Sequence, residues 1–184
     1  TGPIEWVGAT SVVGGAPQGK PLSTGVTWQT VTFAWAPAGG IDPATSFNGG
    51  NGVVDGAWGV LEHLAFSTTG ADTGSYTVYI DSIYNGTTLV TDFDATPAGI
   101  TVGSTQMFRH PKVSGTTGAN IDAYPDNALV SADRGADGSA QSCKVQFQFL
   151  DNAAKRWLRL TTSGANPPTG MVIKNPYIDL TKPI

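Results

Sequence analysis

Apolar and polar residues alternate with a period of two in the patterned segments of this chain, the signature of half-buried strands rather than helices. Residues 75–94, SYTVYIDSIYNGTTLVTDFD, show it best: Tyr76, Val78 and Ile80 fall on one side of an extended chain, and Thr77, Tyr79 and Asp81 on the other. Asn85-Gly86 then reads as a two-residue hairpin turn and residues 87–93 as the returning strand. In residues 141–150, Cys143, Val145, Phe147 and Phe149 share one face while Lys144, Gln146 and Gln148 share the other, as in a one-sided antiparallel strand. Each of these two regular strands needs an apolar partner. The face of Tyr76, Val78 and Ile80 is therefore expected to pack against that of Val145, Phe147 and Phe149, as two layers of a sandwich.

Weaker patterns fill in the rest. Residues 26–35, VTWQTVTFAW, read as a strong strand from their aromatic and β-branched content, with Trp28 facing away from Val31, Phe33 and Trp35. Residues 60–66, VLEHLAF, fit helix or strand, and strand is preferred because all their neighbours are strands. Short strands are expected at residues 4–7 and 128–131. Residues 155–162 form another strand, with Leu158 and Leu160 on one face and Trp157, Arg159 and Thr161 on the other. The Gly- and Pro-rich residues 14–21 and the long stretches 39–59 and 111–138 read as loops.

Composition agrees with this picture and narrows the partners. A chain of 184 residues with 40% hydrophobic content suits one sandwich, and 24 Gly, 12 Pro and 13% charged residues suit many short strands joined by turns. A net charge of -4 supplies no basic stripe for a phosphate backbone, so nucleic acid is not an expected partner. No apolar run approaches the ~20 residues of a helical membrane span, so membrane insertion is not expected. No signal peptide or initiator Met is present, and the chain reads as a mature or internal segment. Few Lys and Glu residues beside abundant Thr, Ser, Gly and Asn point to an extracellular or cell-surface setting.

Candidate chemistry is sparse. Glycoside hydrolysis needs two facing carboxylates, yet the glutamates are Glu5 and Glu62, and most aspartates sit in turn contexts such as Asp42-Pro43 and Asp55-Gly56. His63 and His110 lack partners at metal-ligand spacing, and no Gly-x-Ser-x-Gly elbow occurs. The chain is therefore not expected to be an enzyme. Calcium is the one candidate cofactor, with Asp81, Asp133 and Asp137 as ligands, because hard carboxylate oxygens often pin such loops. Cys143 is alone and is expected to be a buried core side chain. Exposed flat aromatics can stack on sugar rings or anchor an interface, which singles out Trp58, Trp157 with Arg159, and Tyr79. Asn85-Gly86-Thr87 matches a glycosylation sequon, at an expected exposed hairpin tip.

The segment YTVYIDSIYNG resembles the closing strand of galactose-binding-like β-sandwiches, the fold of many carbohydrate-binding modules. GSAQSCKVQFQFL at 138–150, RWLRLTT at 156–162 and NPYIDLTKP at 175–183 resemble the opening strands of the same kind of domain. The resemblance thus runs in permuted order and implies an all-β, antiparallel jelly-roll β-sandwich with little or no helix. Residues 1–97 are read as the closing half, 98–104 as a linker and 105–184 as the opening half. Halves of this kind close within one chain or between successive copies. The expected function is that of a non-catalytic structural subunit that assembles head to tail with copies of itself into a fibre or surface array. Ile4, Trp6 and Ile178 are the expected anchors of a strand-addition contact. The alternatives are a carbohydrate-binding module, with polysaccharide as partner, and a viral or phage coat or fibre jelly roll.

Overall fold

A computed structural model of the chain describes residues 6–8, 12–13, 16–17, 20–25, 27–34, 46–48, 50–68, 74–94, 108, 127–149, 157–162 and 176–184. Among these residues there is no helix, and the strands pair antiparallel. The chain divides into two compact units with interleaved segments. One comprises residues 1–59, 85–88 and 177–184, the other residues 60–84 and 89–176.

The second unit holds the most regular strands. β7 (Ser75–Ile80), β10 (Asn127–Ser131) and β11 (Ser142–Gln148) form a three-stranded sheet in the order β10-β11-β7. The register sets Cys143 opposite Ile80, Val145 opposite Val78 and Phe147 opposite Tyr76. This corrects the expected packing of the two faces. They are not opposed layers: the strands are hydrogen-bonded neighbours, and residues opposite one another in a ladder share a face. One sheet face therefore carries both apolar sets. Along it the rings of Tyr76 and Phe147 stack at 5.5 Å, and Phe149 meets Phe147 edge-on at 5.1 Å. Cys143, Val145, Phe147 and Phe149 are buried, while Lys144, Gln146 and Gln148 alternate with them at half-burial.

β6 (His63–Ser67) pairs with β12 (Trp157–Thr161), and Leu158 and Leu160 are fully buried on β12. Residues 60–66 are thus extended, not helical. Thr162 continues this ladder, donating its N–H to the Glu62 carbonyl at 2.7 Å, and bridges to Phe108. Phe108 is buried and stacks on Phe93, which adopts a positive φ of 63°. That conformation is costly for a bulky residue, and burial of the ring offsets it.

In the first unit, β1 (Trp6–Gly8) pairs with β4 (Ser46–Asn48), and β2 (Val12–Val13) with β3 (Ala16–Pro17). β3 lies within residues 14–21, where a loop is expected. Residues 27–34, expected as a strong strand, are irregular and mostly exposed. Strand propensity is a packing preference more than a backbone one, so aromatic and β-branched content does not by itself make these residues a strand. Phe33 and Ile184 exchange both N–H···O bonds, at 2.6 and 2.9 Å. β5 (Trp58–Val60) pairs with β13 (Tyr177–Asp179).

β8 (Ile83–Asn85) and β9 (Thr88–Thr91) form the expected hairpin, one residue out of the expected register. The turn is Gly86-Thr87 rather than Asn85-Gly86. Gly86 carries φ 62°, and Thr87 is not among the positive-φ residues, which fits a II′ turn with glycine first.

Strands from residues 105–184 pair with strands from residues 1–97 of the same chain: β11 with β7, β12 with β6, and β13 with β5. The expected linker at 98–104 lies outside the described residues.

Candidate functional site

The β5–β13 ladder presents an aromatic face. Leu180 N–H donates to the Ala57 carbonyl at 2.8 Å and Leu61 N–H to the Pro176 carbonyl at 3.1 Å, which fixes an antiparallel register. Gly59 then stands opposite Ile178, and Trp58 opposite Asp179. Because side chains alternate along a strand, Gly59, Ile178 and Leu180 share one side. Ile178 is buried there, and a Cβ on Gly59 would lie 3.3 Å from the Leu180 methyl groups. The other side carries Trp58, Tyr177 and Asp179. Trp58 is 67% exposed and Tyr177 78%, the two highest values among the described large apolar side chains. They occupy diagonal positions of the ladder, roughly 7–8 Å apart, within reach of one ligand or one partner side chain.

Asp179 rims this face. Its Oδ1 accepts from the Thr181 hydroxyl at 2.6 Å and the Thr181 N–H at 3.0 Å, and its Oδ2 pairs with Lys182 Nζ at 3.0 Å. The Thr181 hydroxyl bond, with Lys182 second, holds the carboxyl well below the ordinary range, at about 2. The residue beside Trp58 is thus an ionised carboxylate with a cation at its back.

The position of β13 is set by Asn85. The Asn85 Oδ1 accepts from Asp179 N–H at 2.8 Å, and its Nδ2 donates to the carbonyls of Asp179 at 3.0 Å, Pro183 at 3.3 Å and Lys182 at 3.4 Å. Gly86 N–H adds a bond to the Pro183 carbonyl at 2.7 Å. Asn85 is only 6% exposed, so the expected open sequon is corrected: the tip is a turn, but its asparagine is engaged by residues 179–183. A side-chain amide is suited to this socket because it accepts from one main-chain N–H and donates to main-chain carbonyls.

The other expected recognition residues lie elsewhere. Tyr79, on β7, is half-buried, with the Arg134 guanidinium 5.5 Å and the Lys144 ammonium 6.0 Å from its ring centre, so cations occupy the ring that was expected to receive a ligand. Arg159 is half-buried on β12 opposite Ala65, and the side chain of Trp157 lies outside the described residues. Trp58, Tyr79 and Arg159 thus stand on three separate sheets. Ile178 is buried within its own chain, β1 with Trp6 pairs with β4 of its own chain, and Ile4 lies outside the described residues.

The three aspartates proposed for calcium are engaged separately. Asp133 Oδ2 is bonded to Lys144 Nζ at 2.6 Å, and Asp81 accepts from the N–H groups of Ser82 at 2.7 Å and Ala136 at 2.8 Å. Asp137 adopts φ 51° in an exposed turn. A carboxylate already paired with lysine, as Asp133 is, binds a cation less well than an unpaired one. Among the described residues no group of three or more His, Cys, Asp or Glu side chains is placed to hold a metal.

The residue that organises the 132–141 turn is Asp94, which the sequence pattern did not single out. Its Oδ1 accepts from Ser139 Oγ at 2.8 Å, Gln141 N–H at 2.9 Å and Ala140 N–H at 3.1 Å, and these bonds lower its pKa. Asp81, nearby, is shifted upward by burial, with a smaller contribution from the Asp94 charge. Cys143 is buried, and burial pushes its thiol up to about 12, which makes it an unreactive core side chain. Glu62 bonds the His63 imidazole. Burial alone would raise the Glu62 pKa, but the His63 bond and the His63 and Arg159 charges bring it below the ordinary value.

No family model, curated protein or solved structure matches this chain. The assignment of function therefore stands on the residues themselves.

Proposed function

We propose that this chain is a non-catalytic module of an extracellular or cell-surface protein, a jelly-roll sandwich of the galactose-binding-like kind, which joins copies of itself head to tail into a fibre or array. The observation that carries this reading is the pair Trp58 and Tyr177, left exposed together on one face of the β5–β13 ladder. Each ring buries roughly 150–250 Å² when covered. Trp and Tyr at the centre of a contact, with a charged rim, are the composition of an interface hot spot. Because β13 is closed onto its own chain and Ile178 is covered there, the contact is assigned to this face rather than to an exchanged strand. Sedimentation velocity at rising protein concentration tests it: the chain should pass from monomer to larger species, and a monomer throughout would reject assembly.

A second reading, a carbohydrate-binding module, is favoured by one specific feature. Asp179, on the same side of the ladder as the rings, is an ionised carboxylate that accepts from the Thr181 hydroxyl. Polar groups beside flat aromatics suit a sugar, whose ring stacks while its hydroxyls are bonded. Retention of the monomeric chain on polysaccharide gels, lost on Trp58→Ala, would put this reading first.

A further inference from the structure

We propose that Asn85-Gly86 is a deamidation site kept silent by the segment Tyr177–Ile184, and that its conversion to aspartate releases that segment irreversibly. The inference does not depend on what the aromatic face binds. An asparagine followed by glycine is chemically the most open to this reaction, because no side chain hinders the approach of the next backbone nitrogen. The Gly86 nitrogen attacks Asn85 Cγ, the N–Cγ bond forms, the Cγ–Nδ2 bond breaks, and ammonia leaves with the proton lost by Gly86. Water then opens the succinimide at either carbonyl, giving aspartate or isoaspartate.

In the closed fold each participant is held away from this path. The Gly86 N–H is committed to the Pro183 carbonyl at 2.7 Å, and the Asn85 amide is fixed at both ends by residues 179–183. At 6% exposure the group also has little access to water. The reaction therefore waits for the segment to open, and its rate reports that opening.

The product no longer fits the socket. A carboxylate at position 85 still accepts from Asp179 N–H but turns acceptor oxygens toward the carbonyls of Asp179, Lys182 and Pro183, which faced a donor before. Isoaspartate adds a backbone atom at the tip and misaligns Gly86 as well. The same segment carries Tyr177 and pairs with the strand of Trp58, so its release takes apart the exposed aromatic face.

The chain contains its own control. Asn51-Gly52 is the same dipeptide at an exposed asparagine, whose amide is bonded only within its own loop: Asn51 Nδ2 donates to Asp55 at 2.8 Å and Oδ1 accepts from Val53 N–H at 2.9 Å. Peptide mapping by mass spectrometry after incubation at mildly alkaline pH would follow both sites, in native buffer and in denaturant. In denaturant the two should deamidate at similar rates. In native buffer Asn85 should lag Asn51 by about tenfold or more. Equal native rates would overturn the proposal. Hydrogen exchange on the full-length Asn85→Asp and Asn51→Asp variants reads the consequence: residues 177–184 should lose protection in the first and keep it in the second. Wild-type protection in Asn85→Asp would overturn the latch, and if that variant fails to fold, the rate comparison in the unmodified chain still decides.

Discussion

Replacing Phe147 by alanine removes the centre of the apolar face shared by β7 and β11. The ring is 2% exposed and lies between Tyr76, stacked at 5.5 Å and 16°, and Phe149, edge-on at 5.1 Å and 75°. Returning a buried phenylalanine to water costs about 2–3 kcal/mol. Each lost ring pair adds about 0.5–1.5 kcal/mol. β11 is flanked on both edges by β10 and β7, so the backbone has little freedom to collapse into the gap. The total is about 3–6 kcal/mol, a large share of the ~5–15 kcal/mol that keeps a domain folded. Urea unfolding should show this as a lower midpoint with an unchanged slope. A double-mutant cycle with Tyr76→Leu should return a coupling of about 0.5–1.5 kcal/mol, because the two residues are direct cross-strand neighbours. A loss below about 1 kcal/mol, or no coupling, would refute the assigned register.

Gly86→Ala should cost about 1–2 kcal/mol in the same assay, since φ 62° disfavours an L side chain and the new methyl would meet Lys182 Cδ at 2.8 Å. Gly135→Ala should be worse, because its Cβ would fall 1.9 Å from the Ser139 carbonyl oxygen; a neutral result would contradict the described turn. Ser142→Ala should be neutral or stabilising, as the Ser142 hydroxyl is buried with no hydrogen-bond partner among the described residues, and a loss near 1 kcal/mol or more would contradict this. Asp179 is depressed from 3.8 to about 2, so its contribution is fully present above the unfolded carboxylate range and is lost as pH falls toward about 2. Asp94 and Asp133 act with the same sign, and Asp81, shifted upward by burial, opposes them. Thermal melts through this acid window should fall less steeply for Asp179→Asn than for the unmodified chain, and identical slopes would refute the assignment.

Strand identity was legible wherever alternation was strict. The β11 pattern survives residue by residue in the burial of Cys143, Val145, Phe147 and Phe149. Its partner was not legible, because period-two alternation names the face of a strand but not whether an apolar neighbour lies beside it or across from it. Residues 27–34 mark the opposite limit, with strand-like composition but an irregular backbone. At the candidate site, the exposure of Trp58 follows from its Gly-rich surroundings, whereas the apolar pattern of residues 177–184 points first to Ile178 rather than Tyr177. Strand parity alone puts the two on opposite sides, so that signal was present in the sequence. The long-range bonds of Asn85 and Asp94 left no local trace, since their partners lie 94–98 and 45–47 residues away.

The most direct test of the assembly reading compares the unmodified chain with the Trp58→Ala, Tyr177→Ala double variant in sedimentation equilibrium. Both side chains are exposed, so the variant should keep its unfolding midpoint. The unmodified chain should associate with rising concentration while the variant stays monomeric. Association that persists unchanged in the double variant would contradict the assignment of the contact to this face, and an unmodified chain that remains monomeric would contradict assembly itself.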